Sequence, residues 1–318
     1  MLAATASAPI VLGIALLVDC LYGEYPSALH PVVWLGTAIA AAMRLAPRQG
    51  RRRQFVFGSI LALGICGLSA AGTYLALYWL AGFPILEIVV GAFFFKASFA
   101  LWELKRAADR VVHPLQRGDL CQAREALRSL CSRDPSSLDE TALLAAVLES
   151  LAENLSDSFI APLCYGTLFG VPGAMGYRSL NTLDAMIGYR GHFEFVGKAS
   201  ARLDDLANWI PARLTAGLLL LAGCLTRKNV AAGCRVLRRD GAKTPSPNGG
   251  RPMAALAGLL GVELEKKNVY LLGDRRELLT PQKVREAWLL VSIAGTIMAA
   301  LCGLLLAGFV ILTGRSGW

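Results

Sequence analysis

Two stretches of this chain, residues 54–86 and 287–314, contain no charged residue at all. A helix needs about 20 predominantly apolar residues to cross the hydrocarbon core of a bilayer, and inside lipid every backbone N–H and C=O must be satisfied within the segment itself. Both stretches are therefore expected to be membrane-spanning helices. Hydrophobic residues make up 55% of the 318, with a mean hydropathy of +0.49, which excludes an ordinary soluble protein. Residues up to Val18 are also uncharged but lack a basic start and a cleavage site before Asp19, so an N-terminal membrane helix is expected rather than a removed signal. Residues 84–102 read as a further span in which Lys96 faces protein or snorkels, joined to the preceding run by the Gly82-Phe83-Pro84 turn.

The expected fold class is all-α: a polytopic integral membrane protein forming a helical bundle, with cytoplasmic helical insertions and broken or re-entrant helices around a polar pocket. The whole chain, 1–318, is expected to be one membrane-embedded domain. Residues 103–148 are polar and amphipathic and read as a cytoplasmic helical hairpin, with helix starts after Asp119 and near Ser137 or Asp139 and a stop at Arg133-Asp134-Pro135. Residues 158–177 are apolar but interrupted by Pro162, Gly166, Gly170, Pro172, Gly173 and Gly176, as in broken helices that line a polar cavity.

Charge is concentrated. Of the net +9, much lies in residues 227–286, where thirteen Lys/Arg stand against six Asp/Glu, and a second basic cluster covers Arg44, Arg48 and Arg51–Arg53. By the positive-inside tendency both belong in the cytoplasm, and Arg51–Arg53 are expected to contact lipid headgroups. No aromatic-basic interleaving accompanies them, so nucleic acid is not an expected partner. Eight scattered cysteines without a C-x-x-C pair and only His30, His113 and His192 speak against a disulfide framework, a zinc site or a histidine-built metal site. His30-Pro31 reads as helix punctuation.

Within this apolar sequence, residues 149–215 carry an unusual set of polar groups and read as the catalytic core segment. On a helix Glu149, Glu153 and Asp157 fall four apart with Asn154 at the edge, Asn181 and Asp184 are three apart, and Asp204 and Asn208 four apart with Asp205 adjacent. Carboxylate and amide oxygens offered by three helical patches suit a hard cation and the phosphates it bridges. In residues 227–286, Thr244-Pro245-Ser246-Pro247-Asn248-Gly249-Gly250 is a turn before a helix starting near Pro252. Its backbone N–H groups suit an anion, with Lys243 and Arg251 flanking, although the spacing is not a Walker motif.

Several segments, in order along the chain, carry a resemblance: His30-Pro31 through Gly36, Leu148 through Asn154 with Asp157 and Pro162, Tyr177 through Asp184 to Tyr189, Ser200 through Arg213, and Pro245 to Asn248. Together they resemble the CobD/CbiB family of cobalamin biosynthesis, over nearly the whole chain. That resemblance implies an adenosylcobinamide-phosphate synthase in the bacterial inner membrane, an ATP-dependent ligase joining adenosylcobyric acid to aminopropanol phosphate or aminopropanol, with ATP and Mg²⁺ required. On the positions of this sequence it implies Glu153, Asp157, Asp184, Asp204 and Asp205 as metal ligands or metal-water anchors, with Asp184 and Asp205 foremost. It implies Asn154, Tyr177, Asn181, Asn208, Ser246 and Asn248 as substrate- or nucleotide-binding, Lys243, Arg202 and Arg251 as phosphate partners, and Glu149 or His113 as the base. Expected partners are the corrinoid and amino alcohol substrates, membrane lipids, and a second copy of the chain or other late cobalamin-pathway membrane proteins.

The family commonly has His before the Pro-Ser-Pro-Asn turn, where this chain has Thr244, and the stretch Glu263–Tyr270 is also altered. Two rivals share features of the sequence. Asp204-Asp205-x-x-Asn208 imitates the diphosphate motif of a prenyl-transferring enzyme, but a second such motif is missing. A non-catalytic membrane sensor of the AmpE type has the same architecture, and in it the polar patches would sense or pack.

Overall fold

The structure is a computed structural model that describes residues 7–130, 134–188 and 194–313. Cys131, Arg133, Tyr189, Gly191 and His192 lie outside the described residues. In chain order the helices are α1 (Ser7–Leu21), α2 (Pro31–Met43), α3 (Arg51–Leu80), α4 (Pro84–Ser98), α5 (Leu101–Gln116), α6 (Leu120–Leu127) and α7 (Glu140–Leu155). After a π-helical turn at Ser156–Ile160 come α8 (Ala161–Ile187), α9 (Glu194–Ala207), α10 (Trp209–Leu225), α11 (Val230–Asp240), α12 (Gly250–Leu260) and α13 (Pro281–Thr313).

Among the described residues four helical stretches are long and apolar enough to cross a membrane: Arg51–Leu80, Pro84–Gln116, Glu140–Ile187 and Pro281–Thr313. The two uncharged runs thus lie in α3 and α13, and the Gly82-Phe83-Pro84 turn separates α3 from α4. Contacts divide the chain into two compact units. The first takes in residues up to Ala100, 161–207 and from Ala299 onward, and the second Leu101–Ile160 and Asn208–Met298.

In the first unit α3 packs on α8 and α9. The approach is close because glycine stands at the crossings: a Cβ on Gly58 would lie 1.9 Å from the Val196 carbonyl oxygen, and one on Gly197 1.9 Å from that of Ile187. Around these crossings Ile39, Ala62, Leu183, Ile187 and Val196 form a buried cluster. Inside α8 the backbone breaks at Gly170, whose φ of 72° is a left-handed value that suits glycine. The breaks expected in the helix over residues 158–177 are observed as a π turn at Ser156–Ile160 and a kink at Gly170.

A buried ionic network ties the start of this unit together. Lys96 on α4 is fully buried and its Nζ reaches Asp19 Oδ1 at 3.2 Å, Glu24 Oε1 at 2.8 Å and the Phe99 carbonyl at 3.1 Å. Lys96 thus faces protein, as a buried ammonium must when its desolvation is to be offset. Glu24 also pairs with His30 Nε2, while His30 Nδ1 accepts from Val32 N–H at 3.2 Å and caps α2. Punctuation at His30-Pro31 is part of its role, and anchoring Glu24 is the other part.

The second unit is built on α12, in which every residue except Arg251 is buried. It packs against α7, α10 and α11, with a Cβ on Gly258 only 2.8 Å from Gly233 Cα. The helix starts read from sequence are observed as caps: Asp119 accepts from Gln122 N–H before α6, and Asp139 from Ala142 N–H before α7. One feature corrects the all-α expectation. Glu263–Lys266 and Tyr270–Gly273 form an antiparallel β-hairpin with Leu264 opposite Leu272, both buried, and Asn268 at φ 60° in the turn. The sequence Glu-Leu-Glu-Lys-Lys has too few β-formers to announce a strand, and burial of one alternating face outweighs propensity.

Candidate active site

In the first unit the polar groups come from the second half of α8 and from α9. Tyr177, Asn181, Asp184 and Gly188 follow at spacings of four, three and four, one face of a helix. Arg178 donates to Asn181 Oδ1 at 3.2 Å, and Asn181 Nδ2 lies 3.5 Å from Asp204 Oδ1, so α8 and α9 are bridged by the predicted Asn181. Asp204 is buried, and the charges of Asp204 and Asp205 both act on Asp184. Asp184 Oδ1 is buried without a hydrogen-bond partner. A Cβ on Gly188 would stand 2.0 Å from that atom, so glycine leaves the space the carboxylate uses.

An unsatisfied buried carboxylate oxygen costs several kcal/mol unless a proton, a cation or a donor meets it. Asp184 with its two acidic neighbours therefore fits the hard oxygen-seeking cation the sequence implied. Among the described residues no three His, Cys, Asp or Glu side chains are gathered to enclose a metal ion. Mg²⁺ fits such a setting, since it commonly takes one or two carboxylates and completes its shell with water and phosphate oxygens. Tyr177 is buried and stacks on Tyr165 at 5.0 Å, and Tyr165 donates to the Ala207 carbonyl at 3.1 Å, so Tyr177 helps fix the α8–α9 geometry. Arg202 is exposed on α9.

In the second unit Glu149 is buried on α7, and Glu153, exposed on the next turn, comes near the α12 start, its Oε1 2.9 Å from where a Cβ on Gly249 would stand. The four-residue ladder stops there. Asp157 sits in the π turn that follows Leu155, a turn of wider winding than the α7 helix that carries Glu149 and Glu153. Asn154 is used to lace this bend: its Nδ2 donates to Ser150 O at 3.0 Å and its Oδ1 accepts from Ser158 at 3.2 Å. His113 is exposed on α5, and Asn208 is buried at the N-cap of α10.

The Pro-Ser-Pro-Asn turn is closed by Thr244, whose Oγ1 donates to Ser246 O at 2.7 Å and accepts from Gly250 N–H at 3.0 Å. Ser246 Oγ accepts from Asn248 N–H at 3.3 Å, and Asn248 is buried. Thr244 therefore has a structural task that its hydroxyl performs.

Lys243 does not flank the turn as a free cation. Its Nζ lies 2.6 Å from Asp240 Oδ1, and Asp240, itself buried, also accepts from Arg239 Nε at 2.8 Å, Arg239 NH2 at 2.7 Å and Gly273 N–H at 2.9 Å. Burial alone would raise the Asp240 carboxyl, but these donors outweigh it and hold it well below the usual carboxylate range.

The second cation at the turn is Arg213 instead. Its NH1 lies 3.5 Å from Asn248 Oδ1 and donates to Trp209 O at 2.6 Å, its guanidinium stacks over the Trp209 ring at 4.0 Å, and the Arg251 charge acts on it. Arg251 Nε is buried without a hydrogen-bond partner. Two guanidiniums within reach of each other, one with an unmet donor, at the first turn of a helix rich in glycine make a setting suited to a phosphate. Arg213 was legible only as part of the family pattern, because its spacing from the turn is thirty-five residues.

These features define a helical protein with spans suited to a bilayer, a carboxylate group in one unit and an arginine-lined turn in the other. The chain belongs to the CobD/CbiB family: the family described as CobD/Cbib protein matches residues 12–306. It is 43% identical to the cobalamin biosynthesis protein CobD of Dehalococcoides mccartyi over 89% of this chain and 92% of that one. It is 40% identical to a probable cobalamin biosynthesis protein CobD of Pyrococcus furiosus, covering 83% and 88%, and 40% identical to the cobalamin biosynthesis protein CobD of Rhodobacter capsulatus, covering 81% and 82%. No solved structure matches.

Proposed function

We propose that this chain is an adenosylcobinamide-phosphate synthase, a membrane-embedded ligase that uses ATP to join the propionate carboxylate of adenosylcobyric acid to the amine of aminopropanol phosphate or a related amino alcohol. Membership of the CobD/CbiB family over residues 12–306 carries the reading. The basic segments then face the cytoplasm of a bacterial inner membrane, where ATP is available.

A carboxylate resists amines because its oxygen is a poor leaving group. Attack of that oxygen on the γ-phosphorus of ATP gives an acyl phosphate and ADP, and attack of the neutral amine then forms the amide and releases inorganic phosphate. Bound Mg²⁺ would offset charge on the phosphates, and Asp184, with one of Asp204 and Asp205 acting directly or through water, is suited to hold it. Arg213 and Arg251, with Ser246, Asn248 and the Gly249–Gly250 backbone, are suited to grip the transferred phosphoryl group. Glu149, buried on α7 one turn before Glu153, is the residue suited to take the ammonium proton. The Thr244 departure does not weaken the reading, since Thr244 is engaged in closing the turn.

Purified protein in detergent, given adenosylcobyric acid, aminopropanol phosphate, ATP and Mg²⁺, is expected to yield the amide and ADP, read by mass spectrometry. Folded protein that forms no amide and consumes no ATP would overturn the ligase in favour of a sensor. Assembly as a homo-oligomer or with other membrane proteins of the pathway is read by the same preparation's mass in detergent.

A further inference from the structure

The second unit holds a groove of about 650 Å³ that none of the candidate site residues lines. One wall is the first turns of α7, with Thr141, Ala142 and Ala145, and the other is the β-hairpin with the loop that follows it, including Glu265, Lys267 and Arg275. Volume of this order suits a ligand larger than an amino alcohol. We infer that this groove binds the amide-bearing rim of the corrinoid substrate, an inference that rests on the ligase reading.

Charge decides against a nucleotide. Five carboxylates line the groove against three cations. Lys266 lies over the Tyr270 ring, which leaves Lys267 and Arg275 to face a triphosphate already opposed by Glu263 and Glu265. No glycine-rich turn or aromatic platform for a base is among the lining residues.

A ligand carrying several primary amides has the opposite requirement. Each amide presents two N–H donors and a carbonyl acceptor, so it needs carboxylates and cations side by side and gains nothing from an excess of one sign. Glu265, Lys267 and Arg275, all exposed on the hairpin and the loop after it, facing a wall of small residues on α7, meet that requirement. The α7 wall also points along the chain to the chemistry. Ala142, Ala145, Glu149 and Glu153 follow at spacings of three, four and four, so the groove and the candidate base occupy successive turns of one helix face. A corrinoid seated by its amide arms in the groove would extend its free carboxylate along that face.

The test uses the full chain in detergent and cobyric acid in its dicyano form, with equilibrium dialysis read by visible absorbance. Thr141→Trp narrows the groove from an exposed position, and Glu265→Lys removes an acceptor from an exposed position on the hairpin. Both are expected to weaken cobyric acid binding at least tenfold and to raise the corrinoid KM in proportion, with the ATP KM unchanged. Circular dichroism and gel filtration confirm that each variant is folded. Dissociation constants within twofold of wild type in both folded variants, or no binding by wild type, overturn the groove assignment. If wild type forms the amide while both variants bind normally, the groove fails and the ligase stands. If wild type binds cobyric acid, loses it in both variants and makes no amide, the groove stands and the ligase falls.

Discussion

Lys96 in the first unit is wholly buried and held between Asp19 and Glu24, whereas Lys243 in the second is half exposed and reaches the buried Asp240 from the rim. Both are lysine–carboxylate pairs, yet they do different things. Among long apolar helices a charge is tolerable only when its partners are built in, so Lys96, Asp19, Glu24 and His30 function as one unit that holds α1, α2 and α4 together. Among short amphipathic helices the buried member is the carboxylate, and Asp240 gathers donors from α11, the following turn and the hairpin to hold the segment before the Pro-Ser-Pro-Asn turn. The same contrast runs through the candidate groups, each within its own unit: the first has a carboxylate with an unmet oxygen, and the second a guanidinium with an unmet N–H.

The contrast is most severely tested at Lys96. Lys96→Met leaves two carboxylates without their cation and is expected to cost about 3–5 kcal/mol, read as a lower unfolding temperature in detergent. A change under 1 kcal/mol would mean that the network is solvated. Next, Asp184→Asn is expected to cut amide formation about 100-fold or more, equivalent to about 2.7 kcal/mol, without loss of stability, since the replaced oxygen has no protein partner. Near-normal turnover in Asp184→Asn removes Asp184 from the metal-binding set.

Asp240→Asn is expected to cost about 2 kcal/mol, the worth of hydrogen bonds to a charged group. Because the folded-state carboxyl is held low, this stabilisation is present above the ordinary aspartate pKa of about 4 and is lost as pH falls below it toward the folded value. The gap between wild type and Asp240→Asn in urea should therefore narrow on acidification, and a constant gap between pH 7 and pH 3 would remove the charge from the explanation. Smallest is Thr244→Val, expected to cost about 1 kcal/mol through loss of the Gly250 N–H acceptor, with Thr244→Ser close to wild type. If Thr244→Ser is as unstable as Thr244→Val, the hydroxyl is not what closes the turn.

Much of the fold was legible because it rests on local rules. Charge-free runs gave α3 and α13, Asp119 and Asp139 announced helix starts, and Gly82-Phe83-Pro84 announced the break before α4. The β-hairpin was not legible, since its strands are four residues long and the first, Glu-Leu-Glu-Lys, is mostly charged. For the candidate site, Asn181, Asp184 and Asp204 were readable from helical spacing and do lie together, with Arg178 and Gly188 beside them unannounced. Near the Pro-Ser-Pro-Asn turn Lys243 is paired with Asp240, three residues before it, and Arg213 lies beside Asn248 from thirty-five residues away in sequence, a neighbour that spacing does not announce.

The sequence by itself determined the family, the lengths of the apolar helices, their caps and the face on which each polar residue lies. Periodicity reports the direction of a side chain from its own axis and nothing about what packs opposite. Tertiary structure alone decided which charges are spent on one another and which keep an unmet hydrogen-bonding atom, as Asp184 Oδ1 does in one unit and Arg251 Nε in the other, because burial and pairing depend on what packs opposite.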